Sequence, residues 1–166
     1  MTTFSTSMSA TVRWLALTTV AILVVALSIL LGHDAGRSVG PPLAGVLVLI
    51  LLVTYLVSTR EYAIGGGKLV VRKVVGSKTF ELRGASVGRD AQAFQGMVRV
   101  FGNGGFFAFD GLFYSRRLGF VRSYARNREH GVVVYLAGGS KLVLSPDDPE
   151  AFVSAALAQG AVLTAP

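Results

Sequence analysis

The sequence predicts two transmembrane α-helices followed by one all-β domain, an antiparallel barrel capped by a single C-terminal α-helix. Three observations lead there. Only Arg13, Asp34 and Arg37 are charged before Arg60, although the 166 residues include 16 Lys and Arg and 9 Asp and Glu. Beyond Arg60, short runs alternate apolar and polar residues with a period of two, as half-buried strands do. Near Asp148 that period gives way to apolar residues at helical spacing.

The composition fits this division. Apolar residues make up 52% of the chain and charged residues 15%, against about 25% charged in soluble domains. The mean hydropathy is +0.58. There is no cysteine, which excludes a disulfide scaffold, a thiol nucleophile and a thiolate metal site. The net charge is +7. On a membrane protein a basic excess points first to anionic head groups and then to nucleic acid.

The first predicted span covers residues 14–31 and the second residues 41–58, within a transmembrane hairpin over 13–59 that follows an N-terminal tail over 1–12. Trp14 to Leu31 is uncharged. At about 1.5 Å per residue it reaches roughly 27 Å, close to the hydrocarbon thickness. The second uncharged run, Ser38 to Thr59, has its apolar centre from Leu43 to Val57. Trp14 and Tyr55 sit near the ends, where aromatic rings favour the membrane interface. Between the spans, Gly32 to Pro42 holds glycines and the Pro41-Pro42 pair and reads as a tight connection that breaks the helix. A cleaved signal peptide is the rival, but residues 1–12 carry no Lys or Arg and the apolar run exceeds a signal core. Arg60, Lys68, Arg72, Lys73 and Lys78 follow the second span, whereas the connection holds only Arg37. Positive flanks stay inside. The expected localisation is the cell membrane, multi-pass, with both termini cytoplasmic and the His33–Pro42 connection outside.

The domain over 60–166 reads as strands first. Leu69, Val71 and Val75 fall on one face and Val70, Arg72 and Val74 on the other. Phe80 and Leu82 alternate with Thr79, Glu81 and Arg83, and Val98 and Val100 with Met97, Arg99 and Phe101. Val132–Leu136 and Lys141–Leu144 flank Gly138-Gly139, which suits a tight hairpin turn. Asp148 is a good N-cap, Pro149 fits the first helical position and Glu150 complements the helix dipole. Phe152, Val153, Ala156 and Leu157 then share a face, and Gly160 ends the helix.

Three segments resemble the bacterial pleckstrin-homology-like (PH-like) membrane proteins. They are Tyr62 to Val71, the glycine–aromatic stretch Phe101 to Gly111 continuing through Leu118-Gly119-Phe120 and Tyr124-Ala125, and Leu142 to Phe152. The resemblance covers about Arg60 to Gln159 together with the two-span arrangement. It implies a seven-stranded, strongly bent antiparallel barrel closed by a C-terminal helix. It implies little about function, because fold does not fix function, and it carries over no ligand residues.

No catalytic, metal or cofactor set emerges. His33 and His130 are the two histidines, and each stands alone. Asp147, Asp148 and Glu150 are explained by helix capping. Gly65-Gly66-Gly67-Lys68 is followed by Leu69 rather than Ser or Thr, so a turn outweighs a phosphate loop. Gly102-x-Gly104 lacks a third glycine and a βαβ unit. The strongest charged feature is Arg116, Arg117, Arg122, Arg126 and Arg128, with Glu129 the neighbouring acid. They read either as a solvated strand face or as a contact for an oxyanion or an acidic partner. Phe106, Phe113, Tyr114, Phe120 and Tyr124 interleave with them, but a stacking surface for nucleic acid is outweighed by a role in the core, so no nucleic acid is expected. The expected function is a non-enzymatic, membrane-anchored PH-like module that mediates protein interaction or assembly, including self-association. The alternative is anionic-lipid binding through the Arg116–Arg128 cluster.

Overall fold

The computed structural model of the chain describes residues 1–32, 36–104 and 107–164. His33, Asp34 and Phe106, all singled out from the sequence, lie outside the described residues. In chain order the elements are β1 (Thr2–Ser5), α1 (Ala10–Gly32), α2 (Gly36–Leu56), β2 (Thr59–Gly65), β3 (Lys68–Lys73), β4 (Ser77–Glu81), β5 (Ser86–Arg89), β6 (Val98–Gly104), β7 (Phe109–Ser115), β8 (Gly119–Ala125), β9 (Val132–Tyr135), β10 (Lys141–Leu144), α3 (Pro149–Ala158) and β11 (Val162–Leu163).

The N-terminal residues are more than a tail. Thr2–Ser5 pairs antiparallel with β2, with Phe4 opposite Tyr62. Phe4 is buried and meets Phe152 edge-on at 5.3 Å. The Thr6 hydroxyl donates to the Ser145 carbonyl at 2.7 Å, and the Ser7 N–H and hydroxyl donate to Asp147 Oδ1 at 2.7 and 2.6 Å. The short T-T-F-S run carries the β-branched and aromatic residues a strand favours, and the open edge of β2 supplies its hydrogen bonds. The chain therefore enters α1 from, and returns from α2 into, neighbouring strands of one sheet.

Helix α1 contains a stretch, Val12–Ile29, long and apolar enough to cross a membrane, and only 12% of it is buried within the protein. The apolar part of α2, Gly40–Leu56, is shorter. Pro41 and Pro42 lie inside α2 rather than in the connection. Proline's fixed φ suits a helix, and near the N-terminus its missing N–H leaves only early carbonyls unpaired. The helix hydroxyls turn back on their own backbone: Thr18 donates to the Trp14 carbonyl, Ser28 to Val24 and Thr54 to Ile50 at 2.9, 2.8 and 2.6 Å.

The strands form two sheets, β1-β2-β3-β4 and β11-β5-β9-β10-β8-β7-β6. This corrects the expected closed, wholly antiparallel barrel. The β8–β10 pair is parallel because the β9–β10 hairpin inserts between β5 and β8 rather than extending a meander, and β11, which follows α3, adds to the β5 edge in parallel as well. The four-stranded sheet packs on one face of the larger sheet over Tyr62, Leu69, Val71, Val87, Val132, Val134, Leu142 and Leu144. Helix α3 completes this core with Phe152 and Ala156. The opposite face carries Phe113, Val121, Val133 and Val143 under Ala93 and Phe94.

The β9–β10 hairpin pairs as its sequence suggests, with Lys141 opposite Tyr135 and Gly139 at φ +78°. In α3, the Asp148 side chain accepts from the Ala151 N–H at 2.9 Å, Pro149 opens the helix and Gly160 follows it at φ +93°. Two strand expectations fail in part. Val75 belongs to the β3–β4 turn and is 62% exposed. Val98, Val100 and Phe101 are all exposed, because β6 is an edge strand with a register shift between Arg99 and Phe101.

Candidate interaction surfaces

The junction of helices and sheets fixes the orientation of everything else. Three residues beyond α2, Thr59 donates its N–H to Asp110 Oδ2 at 2.6 Å and its hydroxyl to Oδ1 at 2.8 Å. Asp110 projects from β7, and its burial pushes the carboxyl up to about 6. The bonds from Thr59 and the ammonium of Lys73, 3.9 Å away, oppose that rise only in part. At the α1 end, the Ser9 N–H donates to the Arg126 carbonyl at 3.4 Å. The ends of β7 and β8 that carry Asp110 and Arg126 are thus the ends next to the helices.

The five arginines consequently do not meet on one surface. Arg126 and Arg128 follow β8 beside the start of α1, whereas Arg116 and Arg117 lie in the turn before it. Seven strand residues at about 3.3 Å separate the two groups by roughly 23 Å. Arg128 donates to the Phe94 carbonyl at 3.2 Å and lies over the Phe109 ring at 4.9 Å. Arg117 is paired with Asp90. Arg126 Nε is buried without a hydrogen-bond partner among the described residues. Arg116 and Arg122 are exposed and form no ion pair with a described residue.

Sequence reasoning missed the apolar surface beside Arg116 and Arg122. Val98 is opposite Tyr114 and Tyr114 opposite Phe120 across β6, β7 and β8. The three lie on one sheet face at 65%, 42% and 63% exposure. Tyr114 and Phe120 meet edge-on at 5.2 Å. A hollow beside them is lined by Gln95, Gly96, Val98, Tyr114, Arg116 and Arg117. The signal for it is absent from local sequence, since Phe113 and Tyr124, of the same aromatic run, are buried.

Close strand approach holds this surface in shape. Gly102 pairs with Gly111 at φ +110° and +147°, and a Cβ on either would strike the other strand's backbone. The phosphate-loop candidate is a turn: Gly66 and Gly67 have φ of +63° and +73° between β2 and β3. Among the described residues, no group of three His, Cys, Asp or Glu is placed to hold a metal ion.

A two-sheet β domain closed by a C-terminal helix, with an uncovered apolar and basic face, has the form of a binding module. The family model for the bacterial PH domain matches residues 60–159, and the chain belongs to that family. No curated protein and no solved structure matches it.

Proposed function

We propose that the protein is a membrane-anchored PH-like module that mediates protein interaction or assembly at the cytoplasmic membrane. The Val98–Tyr114–Phe120 ladder carries this reading. It is an apolar face left uncovered beside two arginines that form no ion pair with a described residue, and a face of that kind suits an acidic segment of another protein with apolar side chains of its own. Membrane anchoring is supported by α1 and by the exposed apolar residues of α2, among them Val46, Val48, Leu49 and Ile50. Such surfaces need lipid to cover them, and the self-bonded hydroxyls of Thr18, Ser28 and Thr54 suit a solvent that offers no partners. Two spans leaving adjacent strands put both termini on one side, and the positive flank after Arg60 makes that side cytoplasmic.

A photo-crosslinking residue at Phe120 in the full chain, activated in native membranes, tests the reading. An adduct with a second protein, or with a second copy at twice the mass, is expected. It should weaken in the Arg116→Glu, Arg122→Glu variant. Monomer alone, or an adduct indifferent to those charges, refutes it. The alternative, anionic lipid held by the whole Arg116–Arg128 cluster, is disfavoured by the separation of its two ends.

A further inference from the structure

The end of the domain next to the helices carries a second surface, unrelated to the Val98–Tyr114–Phe120 ladder. The β3–β4 turn folds back onto the end of α2: the Val75 N–H donates to the Leu56 carbonyl at 2.9 Å and the Val74 N–H to the Ser58 carbonyl at 3.0 Å. The first of these bonds satisfies a carbonyl that the helix end otherwise leaves open. Together they hold the Val75 side chain, 62% exposed, beside Val57 and Tyr55, each 42% exposed. The β6–β7 connection reaches the same place, where Phe107 meets the Tyr55 ring edge-on at 5.6 Å. Arg60 and Lys78 flank this end, exposed and without an ion pair to a described residue. Trp14, 65% exposed, lies in the first turns of α1, and Tyr55 in the last turn of antiparallel α2. Both aromatics are therefore at the domain end of the helix pair, the depth at which such rings mark a membrane interface.

We propose that this rim is a lipid contact: Val75 enters the head-group region of the bilayer that holds α1 and α2, and Arg60 and Lys78 engage anionic lipid phosphates. The inference rests on the reading of the helices as membrane spans. Continuity supports it, since Val75 is hydrogen-bonded to the last residue of α2 and cannot leave the level at which that helix ends. Charge supports it as well, because exposed basic residues beside an apolar tip are what an anionic interface attracts. The rim fixes the height and tilt of the domain and so turns the Val98–Tyr114–Phe120 face toward partners away from the bilayer.

The natural chain has no cysteine, so single cysteines report without background. The full chain is reconstituted in vesicles of neutral lipid or of neutral lipid mixed with phosphatidylglycerol. An environment-sensitive fluorophore is attached at Val25→Cys in mid-α1, at Val75→Cys or at Ser140→Cys in the β9–β10 turn. Quenchers sit on lipid acyl chains or head groups. Quenching is expected at position 25 by acyl-chain quenchers, at 75 by head-group quenchers and not at 140. The signal at 75 should rise with phosphatidylglycerol and lose that increment in Arg60→Glu, Lys78→Glu. Quenching at 25 without any at 75 overturns the rim and leaves the spans standing. No quenching at 25 overturns the spans and the rim with them. A signal at 75 that ignores lipid charge and the two reversals overturns the phosphate contact.

Discussion

Replacing Asp110 by Asn should remove a pH dependence built into the helix–sheet junction. In the folded chain burial pushes this carboxyl from 3.8 up to about 6. A raised carboxyl binds its proton more tightly folded than unfolded. Its contribution to stability is therefore full below pH 3.8 and is lost as pH rises through 6. At about 1.4 kcal/mol per pH unit the whole change is about 3 kcal/mol, and about 1.4 kcal/mol of it falls between pH 5 and pH 8. For a domain of this size that corresponds to roughly 6–10 °C in Tm. Asn keeps an oxygen to accept from Thr59 but cannot ionise. The assay is thermal unfolding of wild type and Asp110→Asn in neutral nanodiscs at pH 5 and pH 8, read as the difference between the two proteins so that other groups cancel. Wild type should lose stability relative to the variant as pH rises. Parallel behaviour of the two, or a relative gain by wild type toward pH 8, refutes the reasoning and makes the Lys73 pairing dominant.

Other predictions concern how the domain holds together. Phe4→Ala should destabilise the full chain by about 3 kcal/mol, and the 60–166 fragment, which lacks β1, should regain protection in β2 on adding a peptide of residues 1–8; hydrogen exchange reads both. Gly111→Ala should open the β6–β7 pairing, raising amide exchange over 98–104 while sparing the β9–β10 hairpin. Tyr62→Phe removes a hydroxyl that donates to the Tyr124 carbonyl at 2.5 Å and accepts from the Ser145 N–H at 3.1 Å. It should cost about 1–3 kcal/mol in denaturant unfolding.

What could be read from sequence follows the range of the interactions. The β9–β10 hairpin and α3 are set by neighbours a few residues apart, and Gly139 and Asp148 act as their local chemistry requires. β1 escaped because its partner is β2, beyond both helices: four residues of strand propensity are too short to read as a strand until a distant edge is available. Val98 and Val100 alternate like core residues, yet an edge strand with a bulge exposes them, and period alone does not separate the two. The arginine run was legible as charge but not as geometry, because a strand of seven residues carries its ends apart. Asp110 gave no signal at all, since its partner Thr59 lies 51 residues away.

In the proposed arrangement a cytoplasmic module hangs from a helical hairpin whose two ends enter neighbouring strands. Its most direct test is labelling of single cysteines by a membrane-impermeant maleimide in intact cells and after the membrane is opened. Gly32→Cys, at the far end of α1, should be labelled in intact cells, while Ser140→Cys and Thr3→Cys stay protected from outside and Ser140→Cys reacts once the membrane is opened. Labelling of Ser140→Cys from outside, or protection of Gly32→Cys until the membrane is opened, contradicts it.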